Sequence, residues 1–504
     1  MVGTFMAVLD STIVNVGLPK MMAIFGTSVD KIEWVLTAYM LVFAVVLPSS
    51  GWVADHFGYK RTYFMGMLLF TIGSFLCSIS WDENALIFFR IVQGAGAGFL
   101  MPVGLAIVTR EFPPEKRGMA VGFWGIAAAA SVSLGPLVGG FLIDNFSWHA
   151  IFDVNIPVGI IGLLAIWLIQ REHKAAVARS FDFVGFLSMA AFLISLLLGL
   201  ADGNAAWNTG GWTSGFILSC FAISFISFAI FLITEFSVKN PILDLRLLKI
   251  WNFGIANIMF FLFGMVLFGN SFLIPLYLQN SLDFTAMQSG MVFLPLGVVQ
   301  ALASPLSGHI SDNYSQKLPV AVGITLVALS FYLFHFLELS TEHAQFMIPM
   351  YMRGLGIGLL FTPLSSIALA DIPREKMAQA SGLFNTIRQI GGSFGVAILG
   401  SLLVRRNIFH TQMLGQRVDT HSEIFQHTVA SLKYYVREAT GAAGSDLLLK
   451  SKLLISKNLM AQSFVQSIND DFFIGAVLTI VLLLPLFLLK TSKKGHGEKV
   501  EILD

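Results

Sequence analysis

Long apolar runs constrain the fold of this chain more than any other feature. An α-helix needs about 20 mostly apolar residues to cross the hydrocarbon core of a bilayer. Fourteen runs approach this length, at residues 2–24, 32–53, 61–80, 84–108, 117–143, 150–169, 183–201, 213–235, 253–279, 286–308, 319–337, 344–370, 378–404 and 472–489. Only 12% of the residues are charged, against about 25% in soluble domains. The pattern predicts an all-α polytopic membrane protein with 14 transmembrane helices.

The charges in the loops predict an orientation. If the N-terminus lies in the cytoplasm, the short outer loops hold only Lys20 and Lys31, while the other loops and the C-terminal tail are rich in lysine and arginine. Positive loops stay in the cytoplasm, so both termini are predicted to be cytoplasmic. The net charge of +1 gives no basis for nucleic-acid binding. Cys77 and Cys220 both fall inside apolar runs, where a cysteine is typically a small core residue.

An internal repeat divides the chain. Gly51–Asp55 and Gly308–Asp312 share a Gly-x-x-x-Asp spacing, and Arg90–Gly98 is echoed by Arg353–Gly358. Helices 1–6 therefore match helices 9–14, and helices 7–8 are an inserted pair. Duplicated halves are typical of transporters that bind substrate between them. The predicted parts are an N-terminal half, an inserted pair, helices 9–13, a long outer segment and a last helix with its tail, at 1–172, 173–251, 252–404, 405–471 and 472–504.

Five motifs resemble a known family. Gly51–Arg61 resembles the loop signature of the major facilitator superfamily, and Arg90–Gly98 its fourth-helix signature. Leu9–Pro19, Ser133–Gly140 and Trp148–Gly159 are similar to signatures of its 14-helix drug:proton antiporters of the EmrB/QacA type. The resemblance implies two six-helix halves plus two inserted helices in a bacterial inner membrane. It also implies export driven by a proton gradient, with no cofactor and no enzymatic reaction.

Asp10 and Arg90 are the predicted proton-coupling residues. Asp10 lies about ten residues, roughly 15 Å, from the outer end of its helix, and a carboxylate at that depth is functional by default. It either carries the coupled proton or serves as a structural carboxylate bonded to the backbone or to Ser11. Arg90 keeps its charge and would act on Asp10, either as a partner that changes during the cycle or as a fixed anchor.

The Gly51–Arg61 turn is a predicted conformational latch. Asp55 follows the second helix, and Lys60 and Arg61 begin the third. The resemblance implies that Asp55 is held by helix ends and cations when the cytoplasmic side is closed, whereas the alternative role of the cations is positive-inside anchoring. The predicted latch residues are Gly51, Asp55, Gly58, Lys60, Arg61 and, in the second copy, Asp312.

Small residues in the fifth helix predict close helix contact. Gly135, Gly139 and Gly140 lack side chains that would keep a neighbouring helix away. Pro136 removes a helix hydrogen bond and favours a kink. The four residues are expected to form a flexible seal between the halves, and the resemblance implies that this signature accompanies export.

A substrate pocket for small amphipathic molecules needs apolar and aromatic walls with few polar groups. The candidate walls are Trp34, Tyr39, Trp124, Met265 and Phe268, and the candidate polar contacts are Asn15, Gln93 and Asn270. Most aromatic residues in membrane helices serve packing, so each alone is weak evidence for a pocket.

The outer segment 405–471 breaks the pattern of short loops. Leucines recur at near-helical spacing between Asp446 and Phe464, with lysines among them. This predicts an amphipathic helix on the membrane surface or against the last spans, the alternative being a disordered loop. The resemblance implies a periplasmic adaptor protein as a partner in double-membraned bacteria, and this segment is a candidate contact.

The expected function is proton-coupled antiport of small amphipathic or cationic molecules, such as drugs, by alternating access. The expected partners are the substrate, protons and the lipid bilayer. One alternative is export of a dedicated metabolite, lipid or siderophore. Another is a non-transporting scaffold or sensor, which would need no ionisable residues such as Asp10 and Arg90 inside the membrane.

Overall fold

The computed structural model describes residues 1–111, 131, 134–173, 180–204, 207–238, 241–313, 315–373, 377–440 and 445–490. Helices account for almost all of these residues, and the described part of the chain contains no β-strand. "Outer" below means the predicted extracytoplasmic side. The helices of the first half are α1 Val2–Phe25, α2 Val29–Ile32, α3 Trp34–Phe57, α4 Tyr59–Ser78, α5 Glu83–Glu111, α6 at residues 134–145, α7 Ala150–Asp153 and α8 Asn155–Ile169.

An inserted pair and a second half follow. The inserted helices are α9 Phe183–Ala201 and α10 Gly215–Ser237. The helices of the second half are α11 Trp251–Ser271, α12 Leu273–Ser281, α13 Ala286–Met291, α14 Leu294–Asn313, α15 Lys317–Phe334, α16 His343–Ala370, α17 Met377–Gln416, α18 Glu423–Thr440, α19 Ser445–Val481 and α20 Leu483–Leu488. The helices α9 and α10 pack against each other, and α9 also contacts α3 and α17.

The predicted all-α membrane fold is confirmed. Among the described residues, 12 helical segments are long and apolar enough to cross a membrane. Two predicted spans are not among them. The span predicted at 61–80 corresponds to α4, which carries the cations Lys60 and Arg61 in its first turn. Most of the span predicted at 117–143 lies outside the described residues. The count of 14 spans therefore stays a prediction.

The two halves repeat the same helix packing. In the first half α3 and α4 pack against α5, and in the second α14 and α15 pack against α16. A Cβ on Gly96 would lie 2.7 Å from the carbonyl oxygen of Gly66, and one on Gly356 would lie 2.8 Å from that of Gly323. Only glycine permits this approach of two helix backbones, so the same close contact occurs in both halves.

The outer segment differs from its prediction. Helix α17 extends 12 residues beyond the predicted end at 404, and α19 begins 27 residues before the predicted start at 472. The leucine-rich stretch is thus continuous with the last span and is no separate surface helix. A helix of 40 residues is about 60 Å long, twice the ~30 Å of a hydrocarbon core. The amphipathic helix of this segment is instead α18, which packs against α19.

Candidate functional site

Three helices of the first half converge on the carboxylate of Asp10. Asp10 is completely buried in α1. Its Oδ2 accepts a hydrogen bond from Nη1 of Arg90 in α5, with which it forms an ion pair. Its Oδ1 accepts from Nε2 of Gln93 at 2.7 Å and from Nδ2 of Asn155 at 3.0 Å. Asp10, Arg90, Gln93 and Asn155 are called the Asp10 cluster below.

Arg90 is held from several sides. Its Nη1 also donates to Oε1 of Gln93 at 2.6 Å, and its Nε donates to the carbonyl oxygen of Val35 at 3.0 Å. The guanidinium carbon lies 4.0 Å from the centroid of the Tyr39 ring and 5.9 Å from that of Phe152. Stacking on an aromatic face stabilises a desolvated cation. Among the described residues, Nη2 has no hydrogen-bond partner.

A proton on Asp10 would change this cluster. As a carboxylate, Asp10 only accepts hydrogen bonds, and its charge matches that of Arg90. As a neutral acid it would gain a donor and would leave Arg90 as an uncompensated buried cation, which is costly. Arg90 would then depend on Val35, Gln93 and the Tyr39 ring. The cluster can therefore convert the binding of one proton into a rearrangement between α1, α3 and α5.

The sequence prediction covered part of this cluster. Asp10 and Arg90 were expected to interact, and the structure brings them into contact. Gln93 was expected to contact substrate, whereas its amide bonds Asp10 and also the hydroxyl of Ser74 at 2.7 Å. Asn155 was not expected, although it lies within the Trp148–Gly159 signature, which was the available signal.

The small residues of α6 lie at the seam between the halves. A Cβ on Gly135 would overlap Oγ1 of Thr12, and one on Gly139 would lie 2.6 Å from Cγ1 of Ile13, both in α1. A Cβ on Gly140 would overlap the backbone of Ala286 in the second half.

Across the same seam, the carbonyl oxygen of Pro136 lies against Gly290. This face of α6 therefore touches both the helix that carries Asp10 and the opposite half of the molecule.

The latch residues do not form the predicted contacts in this structure. Asp55 accepts a hydrogen bond from the hydroxyl of Tyr59 at 2.7 Å. Lys60 donates to the carbonyl oxygen of Trp167 at 2.8 Å, and Nε of Arg61 lies 3.7 Å from Oε2 of Glu172. The cations thus bind the end of α8 and the residues after it instead of Asp55.

Two glycines of the latch differ in their surroundings. Gly58 has φ +105°, a conformation that favours glycine, and a Cβ on it would overlap Glu172. Gly51 faces open space. In the second copy, Asp312 lies near the end of α14, and the structure does not describe its side chain.

Three of the predicted pocket residues contact different parts of the structure. Tyr39 is part of the Arg90 environment, and Trp34 bonds Asp202 at the outer end of α9. Asn270 is buried against Gly475 of α19. Helical spacing alone does not tell which face of a helix meets another helix, and the single pocket stays a prediction.

The remaining pocket candidates have other surroundings. The carbonyl oxygen of Met265 lies against Gly395, and the Phe268 ring lies 2.6 Å from a Cβ placed on Gly392, so both positions belong to the contact of α11 with α17. Asn15 is buried in α1. Trp124 lies outside the described residues.

In the described residues of the second half, Arg353 is the counterpart of Arg90 but has no carboxylate partner. Arg353 is 1% exposed and donates to Oγ of Ser271 at 3.0 Å and to the carbonyl oxygen of Leu267 at 3.3 Å. Among the described residues, its Nε and Nη1 have no hydrogen-bond partner, and neither has Nε of Arg388. The buried positive charge of this half is therefore not paired as it is in the first.

Two further buried carboxylates were missed from the sequence. Glu33, 1% exposed, precedes α3, and Asp471, 0% exposed, lies within α19. Among the described residues, none of their four oxygens has a hydrogen-bond partner. Near Glu33, the carboxyl of Asp202 follows the span α9, and burial raises its pKa, although a hydrogen bond from Trp34 opposes this shift.

Comparisons with known proteins agree on one family. The model of the Major Facilitator Superfamily matches residues 1–396. The "Multidrug export protein EmrB" of Haemophilus influenzae is 29% identical over 97% of this chain and 94% of its own length. The "Fatty acid resistance protein FarB" of Neisseria gonorrhoeae is 29% identical over 98% of this chain and 95% of its own length.

A solved structure shares the fold. The crystal structure of a bacterial homologue of the human lysosomal transporter Spinster, inward-facing and unoccupied, superposes with a TM-score of 0.62 at 15% identity. The match covers 97% of this chain and 96% of that chain. At this identity the likeness concerns the arrangement of the helices and nothing finer.

Proposed function

Because the chain belongs to the Major Facilitator Superfamily, as its motifs predicted, we propose that it exports small amphipathic molecules in exchange for protons by alternating access. It acts as a transporter and not as an enzyme, and it lies in a bacterial inner membrane with both termini in the cytoplasm. The proton gradient is its energy source.

The observation that carries this proposal is the burial of the Asp10 cluster. A buried ionisable carboxylate costs stability, and such residues inside membrane helices typically serve a function. Asp10 is such a residue, and side chains from two other helices bond it. The Asp10 carboxylate accepts from Arg90, Gln93 and Asn155. A proton that neutralises Asp10 would release Arg90 from its ion pair, and this change is the coupling step.

The structure resembles one end state of an alternating-access cycle. On the outer side the halves touch, since Asp144 of α6 accepts from the backbone N–H of Met287 at 2.7 Å, and Gln279 donates to the carbonyl oxygen of Val16 at 2.8 Å. On the inner side, Gly51 and Gly308 face open space. This combination supports a state that is closed outward and accessible from the cytoplasm.

The latch would act in the opposite state. When the inner side closes, Asp55 would leave Tyr59 and bind helix ends and cations of the Gly51–Arg61 turn. The present partners of Lys60 and Arg61, at the end of α8, are exposed and exposed ion pairs contribute little energy, so they can exchange at small cost.

A second candidate function is export of anionic amphipathic molecules such as fatty acids. It is favoured by the buried guanidinium groups of Arg353 and Arg388, each with at least one nitrogen that has no hydrogen-bond partner among the described residues. A carboxylate substrate would compensate that charge. The name of the relative FarB is compatible with this substrate class.

The outer ends of α17 and α19, with α18, offer a surface for an adaptor protein. Large apolar side chains are exposed there, including Ile424 at 80% and Tyr434 at 70%. These helices extend well beyond the membrane thickness, so an adaptor would reach them without contacting lipid.

Flux measurements test the proposal. Inverted membrane vesicles with an imposed pH gradient should accumulate a cationic dye, and collapse of the gradient should stop this accumulation. A long-chain fatty acid tested in the same vesicles distinguishes the two substrate classes. Transport of neither probe, with the protein present and folded, would refute the proposed function.

A further inference from the structure

Two buried carboxyl groups from opposite halves lie at the outer seam, on elements that both pack against α17. The Glu33 carboxyl packs directly on the backbone of α17, because a Cβ on Gly400 would overlap its Oε2 and lie 3.0 Å from its Oε1. Helix α19, which carries Asp471, packs against α17, and the charge of Asp471 acts on Glu33. Glu33 and Asp471 are called the outer carboxyl pair below.

In the part of the chain that the structure describes, no cation forms a hydrogen bond with either carboxylate of this pair. Arg406, which acts on Asp471, binds Asp470 at 2.6 Å, and His410 binds the same carboxylate at 2.7 Å. Lys31, two residues before Glu33, forms an ion pair with Glu83.

The other charged groups around the pair are acidic. Asp30 and Asp202 face Glu33, and Asp470 precedes Asp471. From α15, His335 Nδ1 contacts only the carbonyl oxygen of Asn469 at 2.9 Å. Burial and the neighbouring acidic groups make ionised carboxylates costly at this site, so uptake of protons would stabilise the pair in this state.

We propose that the outer carboxyl pair is a second proton-binding site, and that its protonated form holds the two halves together on the outer side. Each carboxylate takes up one proton to form an O–H bond, and no other bond changes. A protonated Asp471 gains an O–H donor. An acceptor lies one helical turn along α19, where Oδ1 of Asn270 is packed against Gly475 and has no hydrogen-bond partner among the described residues.

The pair is connected to the Asp10 cluster through the start of α3. Glu33 is two residues from Val35, whose carbonyl oxygen accepts from Arg90. A movement of Arg90 on protonation of Asp10 therefore pulls on the turn that carries Glu33. When the outer seam opens, water reaches the pair and both carboxyls ionise, so their protons leave on the outer side. Re-closure then requires protons from that side.

This inference rests on the proposed function for its role in export, but its first test does not need transport. Spin labels at Asn84→Cys and Ser340→Cys, both exposed and on the outer ends of opposite halves, report the opening of the seam in purified protein. The native Cys77 and Cys220 are buried and remain in place. Distances between the labels are measured in lipid nanodiscs at acidic and at alkaline pH.

We expect the labels to move apart at alkaline pH in the otherwise unchanged protein. The isosteric double variant Glu33→Gln, Asp471→Asn should keep the short distance at both pH values. The matched control Asp82→Asn, which changes an outer carboxylate that caps α5 through the N–H of Ala85, should respond like the unchanged protein. Opening of the double variant at alkaline pH would overturn the inference, as would an unchanged protein without any pH response.

Two further outcomes separate this site from the rest of the mechanism. If the response disappears in Asp10→Asn and persists in the double variant, protons act through Asp10 alone and the second site is refuted. In vesicles, export that ignores the proton gradient while the labels still respond refutes the proposed function alone. Gradient-driven export with the same pH profile in the double variant refutes the inference alone.

Discussion

The side-chain amide of Asn155 donates to Oδ1 of Asp10 at 3.0 Å and thereby binds α8 to α1. Arg90 and Gln93 of α5 bond the same carboxylate, so that one buried acid joins three helices of the first half. In the second half, the corresponding Arg353 donates to a hydroxyl and a carbonyl group and lies over the Phe331 ring. The ion pair of the Asp10 cluster therefore belongs to the first half, and any change in it must cross the seam to affect the second half.

We expect Asp10→Asn to abolish proton-coupled export while the protein remains folded and inserted. An asparagine keeps an oxygen for Gln93 and Asn155 but cannot exchange a proton. Efflux under an imposed pH gradient is the measurement. Asp153→Asn is the control, since Asp153 is exposed and accepts a hydrogen bond from the hydroxyl of Ser78, and it should transport normally. Efflux from the Asp10 variant at the unchanged rate would contradict the assignment.

We expect Asp55→Ala to slow the conformational cycle without weakening equilibrium binding of substrate. Asp55 lies at the inner end of α3, far from the Asp10 cluster, and its partners change only when the inner side closes. The control is Tyr59→Phe, which removes the hydrogen bond that Asp55 makes in the present state and leaves the latch carboxylate intact. Turnover and dye binding are compared in purified protein, and lost binding with an intact fold would count against the latch.

We expect Gly140→Ala to disfavour the outward-closed state. A Cβ there would overlap the carbonyl oxygen of Ala286 and the Cα of Met287. Overpacking of this kind costs about 1–3 kcal/mol, which corresponds to a roughly 5–150-fold change between two states. Distances between labels on the outer ends measure the shift. The control is Gly215→Ala, because a Cβ at Gly215 faces open space and should leave the distances unchanged. Equal distances in the two variants would contradict a close contact at α6.

We expect Asp202→Asn to raise thermal stability at neutral pH, and the gain to vanish in acid. Burial raises the pKa of Asp202 in the folded protein, so the ionised form destabilises the fold above that pKa. As the pH falls through the folded pKa, the carboxyl gains its proton and this cost disappears. The unfolding temperatures of both proteins are compared across the pH range. A stability gain of the variant that grows in acid would contradict the prediction.

Some of the buried charged residues could be predicted from the sequence, and others could not. Asp10 and Arg90 interrupt long apolar runs, so their contact could be expected from depth and charge alone. Glu33 and Asp471 lie at the ends of the predicted spans 32–53 and 472–489, where a carboxylate is normally solvated. Glu33 is buried because it packs on Gly400 of α17, a tertiary contact that the sequence pattern does not reveal. Asp471 is buried within α19, which begins well before the predicted span and whose polar first part resembled a loop.

The same extension of α17 and α19 gives the last prediction. Deletion of residues 415–455 removes α18 and the first part of α19 but keeps the outer carboxyl pair and the Asp10 cluster. Transport in isolated vesicles should therefore persist, whereas drug resistance of whole cells should fall if an adaptor binds this surface and carries substrate onward. Resistance and vesicle transport measured for the same variant distinguish the roles. If neither changes, the segment is a passive connection; if both are lost, it belongs to the transport path, since α17 also packs against α3 of the first half.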